Sequence, residues 1–198
     1  HKIFDISDIL SNFNSSLIDA NQEVPEGFYE SESMKSTFVP NRNAIFFSLI
    51  YGYALSISKN YDENVFISLG AHSGDHAIYP DCRLEFFESL FKSLKLGNWD
   101  SEKIKLNIPF INFDKKDILK DAEKSIKKLN LDFDTIFKNT ITSYSPDENG
   151  ISSGKTGSDI ERILAFHSIK KIDPIKYQDS WKNVLENALK VEEEYVDV

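Results

Sequence analysis

Cysteine is almost absent from this sequence, since Cys82 is the one cysteine among 198 residues. A single thiol excludes an internal disulfide framework and a structural zinc site of the four-cysteine kind, and it is typical of a reducing compartment. Long apolar runs are also missing: residues 44–50 fall far short of the roughly 20 residues that a membrane span needs. The chain does not open on a basic segment followed by an apolar one. We therefore expect a soluble, cytoplasmic protein.

Positive charge is in deficit. The 23 Lys and Arg residues face 32 Asp and Glu residues, which gives a formal net charge of −9. The long-range field of such a chain repels nucleic-acid backbones and acidic lipid surfaces. We therefore expect no nucleic acid polymer and no membrane among its partners, and a nucleotide only as a small ligand. With 40% hydrophobic residues, the chain has enough apolar material for the core of one globular domain.

Three short segments have the apolar character of strands, namely 2–6, 64–69 and 103–108. The last two are each followed by a helical pattern. This alternation predicts an α/β fold with a parallel sheet and flanking helices. Three strands are few for a buried parallel sheet, so we expect further strands from residues outside this sequence or from a partner chain, as in a homodimer.

Helices are predicted from apolar residues at helical spacing. One begins after Pro40 with Asn41 or Asn43 as its N-cap, a second is capped by Asp81 and ends at Gly97, and a third begins after Asp114. Two more are expected around 160–166 and 181–189, before the acidic residues 192–194. The face of the first helix that should be buried consists of Ile45, Phe46, Leu49, Ile50, Tyr53, Ala54 and Ile57.

The densest group of titratable side chains lies in the predicted loop between Gly70 and Arg83, directly after the strand 64–69. In open parallel sheets, ligands bind beyond the carboxyl ends of the strands, so this segment is the first candidate site. Two other interpretations remain open. His72, Asp75 and His76 could be zinc ligands, although no further Cys or His completes the shell. The segment could also be an ordinary loop in which Asp81 only caps a helix.

Two further motifs are candidates for phosphate binding. Arg42, at the start of a helix, could clamp a carboxylate or a phosphate, or it could be a surface arginine beside a helix cap. The segment 152–157 contains Gly-Lys-Thr. A phosphate-binding loop needs a glycine five places ahead of Gly154 and a preceding strand, whereas Gly150 stands four places ahead and no strand is predicted there. We therefore reject a P-loop.

Four stretches are long and specific enough to compare with known families. They are 24–45 with Val-Pro-Glu-Gly and Pro-Asn-Arg-Asn, 72–83 with His-Ser-Gly-Asp-His-Ala-Ile-Tyr-Pro-Asp-Cys-Arg, Pro109-Phe110 with Lys115, and 162–177 with Arg162, Ala165-Phe166, Asp173-Pro174 and Tyr177. Together they closely resemble the QueC family, the 7-cyano-7-deazaguanine synthases of the PP-loop ATP pyrophosphatase superfamily. The resemblance covers essentially the whole chain and implies an adenine nucleotide alpha hydrolase-like fold with a C-terminal helical segment.

The resemblance implies an ATP-dependent C–N ligase of queuosine-type biosynthesis. Its carboxylate substrate, 7-carboxy-7-deazaguanine, is activated with ATP, takes up ammonia to give an amide, and is activated again to give the nitrile 7-cyano-7-deazaguanine, with release of pyrophosphate and AMP. Two alternatives stay open. One is a QueC-like adenylating enzyme of a phage-defence cassette that acts on another client. The other is a non-catalytic protein that binds 7-deazaguanines.

The resemblance also suggests site residues, whose individual roles rest on residue type. Arg42 and Lys115 would be the catalytic cations that hold phosphates and the carboxylate. The residues expected to bind substrate are Asn43, His72, Ser73, Asp75, His76, Tyr79, Asp81, Arg83 and Thr140. Among them, the acids and Ser73 suit the amino-pyrimidinone edge of the base, Tyr79 suits its ring, and Arg83 could add positive charge.

The chain departs from the family pattern at its start. Family members open with a strand, a Ser-Gly-Gly-x-Asp-Ser pyrophosphate loop, a helix and a second strand, ahead of a segment like residues 1–6. Residues 1–198 lack that motif. We therefore expect one QueC-like domain without this N-terminal segment, and we expect the 198 residues alone to be inactive toward ATP.

A second departure concerns zinc. Where the family carries a zinc-binding Cys followed by Cys-x-x-Cys-x-x-Cys, this chain has Ser143 and then Ser153, Thr156 and Asp159. Hydroxyls are poor zinc ligands and a lone carboxylate does not hold the ion, so we expect no bound zinc. Hydrogen bonds, packing or a neighbouring subunit must then hold this loop.

Overall fold

A computed structural model describes residues 1–19 and 21–196, without the side chains of residues 76 and 196. Within these residues the elements are α1 Ser7–Leu10, α2 Arg42–Tyr61, β1 Val65–Ser68, α3 Ser73–Ile78, α4 Leu84–Leu96, β2 Ile104–Asn107, α5 Lys115–Lys128, α6 Phe133–Lys138, α7 Gly157–Ser168 and α8 Trp181–Val196. Two 3-10 helices cover Glu32–Thr37 and Pro80–Cys82. None of the described helices combines the length and apolarity that crossing a membrane requires.

The described sheet is small and parallel. β1 pairs with β2 in the register Val65 to Ile104 and Ser68 to Asn107, and helices flank the pair, so the mixed α/β class and two of the three predicted strands are confirmed. The predicted strand 2–6 is wrong. These residues form no strand, and the Asp5 carboxylate instead accepts hydrogen bonds from the backbone N–H (3.0 Å) and hydroxyl (2.6 Å) of Ser7 where α1 begins. A strand pattern alone does not make a strand, because the backbone also needs a partner strand to pair with.

The sheet packs against α2 and α4. The buried core residues here are Phe47, Tyr51, Ala54, Ile67, Phe87 and Ile104. The predicted buried face of α2 is confirmed only in part. Ala54 is buried and Ile45, Tyr53 and Ile57 are half-buried, whereas Phe46, Leu49 and Ile50 are 38–42% exposed. This helix is apolar on two faces, so helical periodicity could not decide which of them meets the sheet.

The C-terminal helices form a second packed region. Ile160 and Ile163 of α7 pack on Val184 and Ala188 of α8, which confirms the two predicted C-terminal helices. Residues 192–194 are exposed as predicted, but they lie within α8 rather than beyond it. α5 packs against α7, and the predicted cap Asp114 is confirmed by the 2.7 Å hydrogen bond from the Asp117 backbone N–H to its carboxylate.

Of the two predicted helix starts in the first half of the chain, one is confirmed in position and one needs correction. α2 begins after Asn41 as predicted, but Asn41 adopts a left-handed backbone conformation (φ 60°) and its side chain makes no capping bond. α4 follows Arg83 rather than Asp81, because the intervening residues form the 3-10 helix Pro80–Cys82. Gly97 does end α4, as predicted.

Candidate functional site

The segment after β1 contains the short helix α3, so the prediction of a loop over 70–83 is wrong. His72 and Asp75 form a capping box at the start of α3. His72 Nδ1 accepts from the Gly74 N–H (3.1 Å), and Asp75 Oδ2 accepts from the His72 N–H (3.2 Å). A capping box of this kind satisfies two donors that the first turn leaves free. A Cβ at Gly74 would lie 2.7 Å from Glu161 Oε1 and 3.0 Å from His72 Cε1, so a larger residue there would displace the end of the Glu161 side chain.

Asp75 is oriented by the buried Tyr29, whose hydroxyl in turn contacts the partly buried Tyr144 from a distant part of the chain. Tyr29 Oη donates to Asp75 Oδ1 (2.9 Å) and lies 3.2 Å from Tyr144 Oη. Burial, followed by the charge of Asp75, raises the pKa of Tyr29 far above its usual range, and burial also raises the pKa of Tyr144. Both phenols therefore stay protonated and can donate hydrogen bonds. His72 Nε2, 3.5 Å from Asp75 Oδ2, lies on the other side of the carboxylate.

Tyr79 is fixed by its hydroxyl group. Thr37 Oγ1 donates to Met34 O (2.7 Å), so its oxygen is left to accept from Tyr79 Oη at 2.6 Å. The Tyr79 ring meets the Tyr29 ring edge-on, with 6.3 Å between centroids. The ring is therefore held in one orientation.

A cavity of about 240 Å³ lies at the carboxyl end of β1. It is lined by Leu69, Gly70 and Ala71 after the strand, by apolar side chains of α2 and α4, and by the polar residues Arg42, Asn43, Asp75, Tyr79 and Tyr144. The structure thus brings four sequence-predicted residues to one cavity, together with Tyr144, which sequence reasoning missed. Its position agrees with the rule for ligand sites in parallel sheets.

Asn43, which lines the cavity, also contacts the 3-10 helix Pro80–Cys82. Its side-chain amide donates to Asp81 O (3.4 Å) and approaches Cys82 Sγ (3.3 Å). Burial and the carboxylates of Asp75 and Asp81 raise the pKa of the Cys82 thiol to about 12. A thiol that stays protonated is a poor nucleophile.

Asp81 is buried, and burial raises the pKa of its carboxyl although Arg42 acts in the opposite direction. A raised pKa means that ionised Asp81 destabilises the folded state above that pKa, and that the penalty disappears below the ordinary value of 3.8. We therefore expect Asp81→Asn to increase the free energy of unfolding at pH 7 and to lose this advantage as the pH falls toward 3.8.

Urea denaturation across that pH range measures the effect, and Asp62→Asn is the control of opposite sign. A hydrogen bond from Lys103 lowers the pKa of Asp62, so its contribution is stabilising at neutral pH and is lost on acidification. An Asp81→Asn protein that is less stable than wild type at pH 7 would contradict the prediction.

Lys115 lies at the start of α5 beside a second cavity of about 260 Å³, which Tyr29 and Glu161 also line. Its ammonium forms an ion pair with Glu161 Oε2 and lies 5.2 Å from the centroid of the Tyr29 ring. Glu161 Oε1 is 3.8 Å from His72 Nδ1. Tyr29 lines this second cavity and Asp75 lines the first. The hydrogen bond between them therefore lies in a wall that the two cavities share. Glu161 was missed because nothing local in α7 marks it as the partner of Lys115.

The other predicted site residues make structural contacts. Ser73 binds Phe113 O through its N–H (2.9 Å) and its hydroxyl (3.0 Å), Arg83 is exposed at the start of α4, and Thr140 accepts from Arg162 Nη1 at 2.8 Å. These three do not line the first cavity. The side chain of His76 lies outside the described residues.

A separate cluster around the buried Asp159, the Asp159 cluster, occupies the four positions that the family resemblance assigns to zinc-binding cysteines: Ser143, Ser153, Thr156 and Asp159. Asp159 Oδ2 accepts from Ser143 Oγ (3.0 Å), Ser153 Oγ (3.4 Å) and the Gly154 N–H (3.2 Å), and Thr156 Oγ1 accepts from the Asp159 N–H (3.3 Å). Asp159 is fully buried, and its Oδ1 has no hydrogen-bond partner in the described part of the chain. One carboxylate and three neutral hydroxyls do not fit zinc, which prefers thiolate, imidazole and carboxylate ligands. Among residues 1–19 and 21–196, leaving aside the two side chains excluded above, no group of three or more His, Cys, Asp and Glu side chains is arranged to hold a metal ion.

Comparisons with known proteins agree with these motifs. A family model described as queuosine biosynthesis protein QueC matches residues 1–170. The 7-cyano-7-deazaguanine synthase 1 of Colwellia psychrerythraea is 43% identical over 178 residues, which are 90% of this chain and 74% of that protein. The 7-cyano-7-deazaguanine synthases of Marinomonas sp. and Caldicellulosiruptor saccharolyticus are 39% and 41% identical, and each alignment covers 90% of this chain and 74% or 72% of the relative.

Proposed function

The chain belongs to the QueC family of queuosine biosynthesis proteins, and from that premise we propose that it is an ATP-dependent 7-cyano-7-deazaguanine synthase. Its substrates would be 7-carboxy-7-deazaguanine, ammonia and ATP. We further propose that residues 1–198 form one QueC-like domain of the adenine nucleotide alpha hydrolase-like fold. The cavity at the carboxyl end of β1 is the observation in the structure that carries this proposal.

The chemistry requires two activations, first of the substrate carboxylate and then of the amide made from it. A carboxylate oxygen attacks the α-phosphorus of ATP and pyrophosphate leaves. Ammonia then attacks the acyl carbon, AMP leaves and an amide forms. The amide oxygen then attacks the α-phosphorus of a second ATP and a second pyrophosphate leaves; departure of AMP with loss of both amide N–H protons gives the nitrile. Each step develops negative charge on phosphate oxygens, which fixed cations stabilise.

The cavity offers matching groups for such a substrate. Arg42 supplies a permanent positive charge for the carboxylate and for the adenylate made from it. Asp75, fixed by Tyr29 and His72, offers carboxylate oxygens to the N–H groups of a guanine-type base edge. Tyr79 adds a ring held in place through Thr37. Lys115 borders the neighbouring cavity, where we propose that it serves the phosphates once Glu161 releases it.

We expect Asp75→Asn to weaken the binding of 7-carboxy-7-deazaguanine by about 1–3 kcal/mol, because a neutral amide in place of the carboxylate leaves N–H donors of the ligand without an acceptor. Isothermal titration calorimetry measures the change. Asp121→Asn, at an exposed position of α5, is the matched control and should bind like wild type. Equal affinities in two folded proteins would remove Asp75 from the site.

Activity is the direct test of the proposed function. Protein expressed from the whole reading frame that encodes this sequence should convert 7-carboxy-7-deazaguanine to the nitrile when ATP and ammonium are supplied, with release of pyrophosphate and AMP. Mass spectrometry follows the base. A wild-type protein that neither binds nor converts this substrate would overturn the proposal and favour another client of the adenylation chemistry.

A further inference from the structure

The Asp159 cluster lies directly behind the tyrosines that orient Asp75. Ser143, whose hydroxyl donates to Asp159 Oδ2, immediately precedes Tyr144, and Tyr144 contacts the Tyr29 hydroxyl that donates to Asp75. We propose that Asp159 is a positioning residue, whose carboxylate holds Tyr144 and Tyr29 in place as a metal-free hydrogen-bond tether. The identity of the ligand in the cavity rests on the proposed function, whereas the tether rests on the contacts themselves.

The tether fastens the segment 143–154 at both ends. Ser143 Oγ at one end and Ser153 Oγ with the Gly154 N–H at the other all donate to the same oxygen of Asp159. Gly154 allows this approach, because its φ is +79° and a Cβ there would lie 2.6 Å from Val184 Cγ1. A single buried acceptor on α7 therefore fixes the position of the residue that precedes Tyr144.

The same region of the chain also holds Tyr29. Lys155 O accepts from the Gly27 N–H at 3.0 Å, and Thr156, which accepts from the Asp159 N–H, forms a β-bridge with Glu26. Gly157 lets the segments touch, since a Cβ there would lie 2.9 Å from Tyr29 Cα. Both tyrosines that fix Asp75 are thus anchored next to Asp159.

The cluster works as a set of donors around an acceptor rather than as a set of ligands around a metal. In the family pattern these four positions are cysteines that hold zinc, which cross-links the loop. Here the two serine hydroxyls and a backbone N–H point at Asp159 Oδ2, while Oδ1 has no partner in the described chain. A neutral amide can supply the same acceptor oxygen and place its nitrogen where Oδ1 lies. Hydrogen bonding therefore needs the oxygen of this side chain and not its charge.

This difference gives a test with two variants at one position. Asp159→Ala should weaken the binding of 7-carboxy-7-deazaguanine by about tenfold or more and speed amide hydrogen exchange in residues 143–156, because the donors lose their acceptor. Asp159→Asn should stay within about threefold of wild type in affinity and keep the protection, since neutral hydrogen bonds remain. If Asp159→Ala does not fold, Ser143→Ala is used instead, with the exposed Ser145→Ala as its control.

Metal content separates the tether from a metal site. Wild-type protein should hold far less than one zinc per chain, and its melting temperature should not change with a zinc chelator. A variant with Ser143→Cys, Ser153→Cys, Thr156→Cys and Asp159→Cys should bind one zinc, regain the affinity that Asp159→Ala loses, and become sensitive to the chelator.

Several outcomes would overturn the tether: stoichiometric zinc in the wild type, an Asp159→Asn protein as impaired as Asp159→Ala, or unchanged exchange in both Asp159→Ala and Ser143→Ala. If wild type binds no 7-carboxy-7-deazaguanine, the proposed function fails instead. Hydrogen exchange and metal content then still show whether Asp159 acts as a metal-free tether.

Discussion

Replacing Asp173 with alanine should lower the free energy of unfolding by about 3–5 kcal/mol, because it leaves a buried guanidinium without its counter-charge. Arg162 and Asp173 are both almost completely buried. Arg162 Nε and Nη2 donate to the two carboxylate oxygens at 2.5 and 2.8 Å, and Tyr177 Oη donates to the same carboxylate at 2.8 Å. Burial opposes the charged form of Arg162, but the hydrogen bonds and charge of Asp173 outweigh it, so the pKa of Arg162 is raised.

Chemical denaturation measures this loss, with Asp121→Ala on the surface of α5 as the control. A double variant that carries Arg162→Met with Asp173→Ala should lose less stability than Asp173→Ala alone, because no unpaired charge stays buried. If the double variant is the less stable of the two, the cost comes from lost packing and not from the uncompensated guanidinium.

Arg42→Gln should weaken the binding of 7-carboxy-7-deazaguanine by about 2–5 kcal/mol, as expected when one partner of a desolvated charge pair is removed. Arg42 is the cation that lines the cavity at the carboxyl end of β1, among residues 1–19 and 21–196. The effect should depend on the ligand. The nitrile product carries no carboxylate, so its affinity should be nearly the same in wild type and variant.

Calorimetric titration of both ligands into both proteins isolates the contact between Arg42 and the carboxylate, because general damage to the cavity would weaken both ligands alike. Lys92→Gln, an exposed cation on α4, is the matched control and should leave both affinities unchanged. Equal losses for carboxylate and nitrile would show that Arg42 shapes the cavity without clamping the carboxylate.

The parts of this fold that the sequence could predict are those with a local signal. The apolar runs that became β1 and β2, the cap Asp114 and the helical spacing within α7 and α8 all depend on neighbours a few residues apart. The buried face of α2 had no such signal, because both of its faces are apolar and only the position of the sheet distinguishes them.

The site was partly predictable for a related reason. The position after a parallel strand identified Asp75 and Tyr79, the position at a helix start identified Arg42, and the family resemblance added Asn43. Tyr144 and Glu161 were not found. Tyr144 reaches Tyr29 across 115 positions of sequence, and Glu161 reaches Lys115 across 46, so no local pattern connects them.

The Asp159 cluster also bears on oxidative damage. Oxidants such as peroxide attack thiolates, and oxidation of zinc-bound sulfur releases the metal and loosens the loop that it holds. Positions 143, 153, 156 and 159 carry only oxygen functional groups, which peroxide does not oxidise. The chain's single thiol, Cys82, is buried, and with a pKa near 12 it has almost no thiolate at neutral pH. The hydrogen bonds that hold the segment 143–154 beside the tyrosines therefore do not depend on an oxidisable side chain.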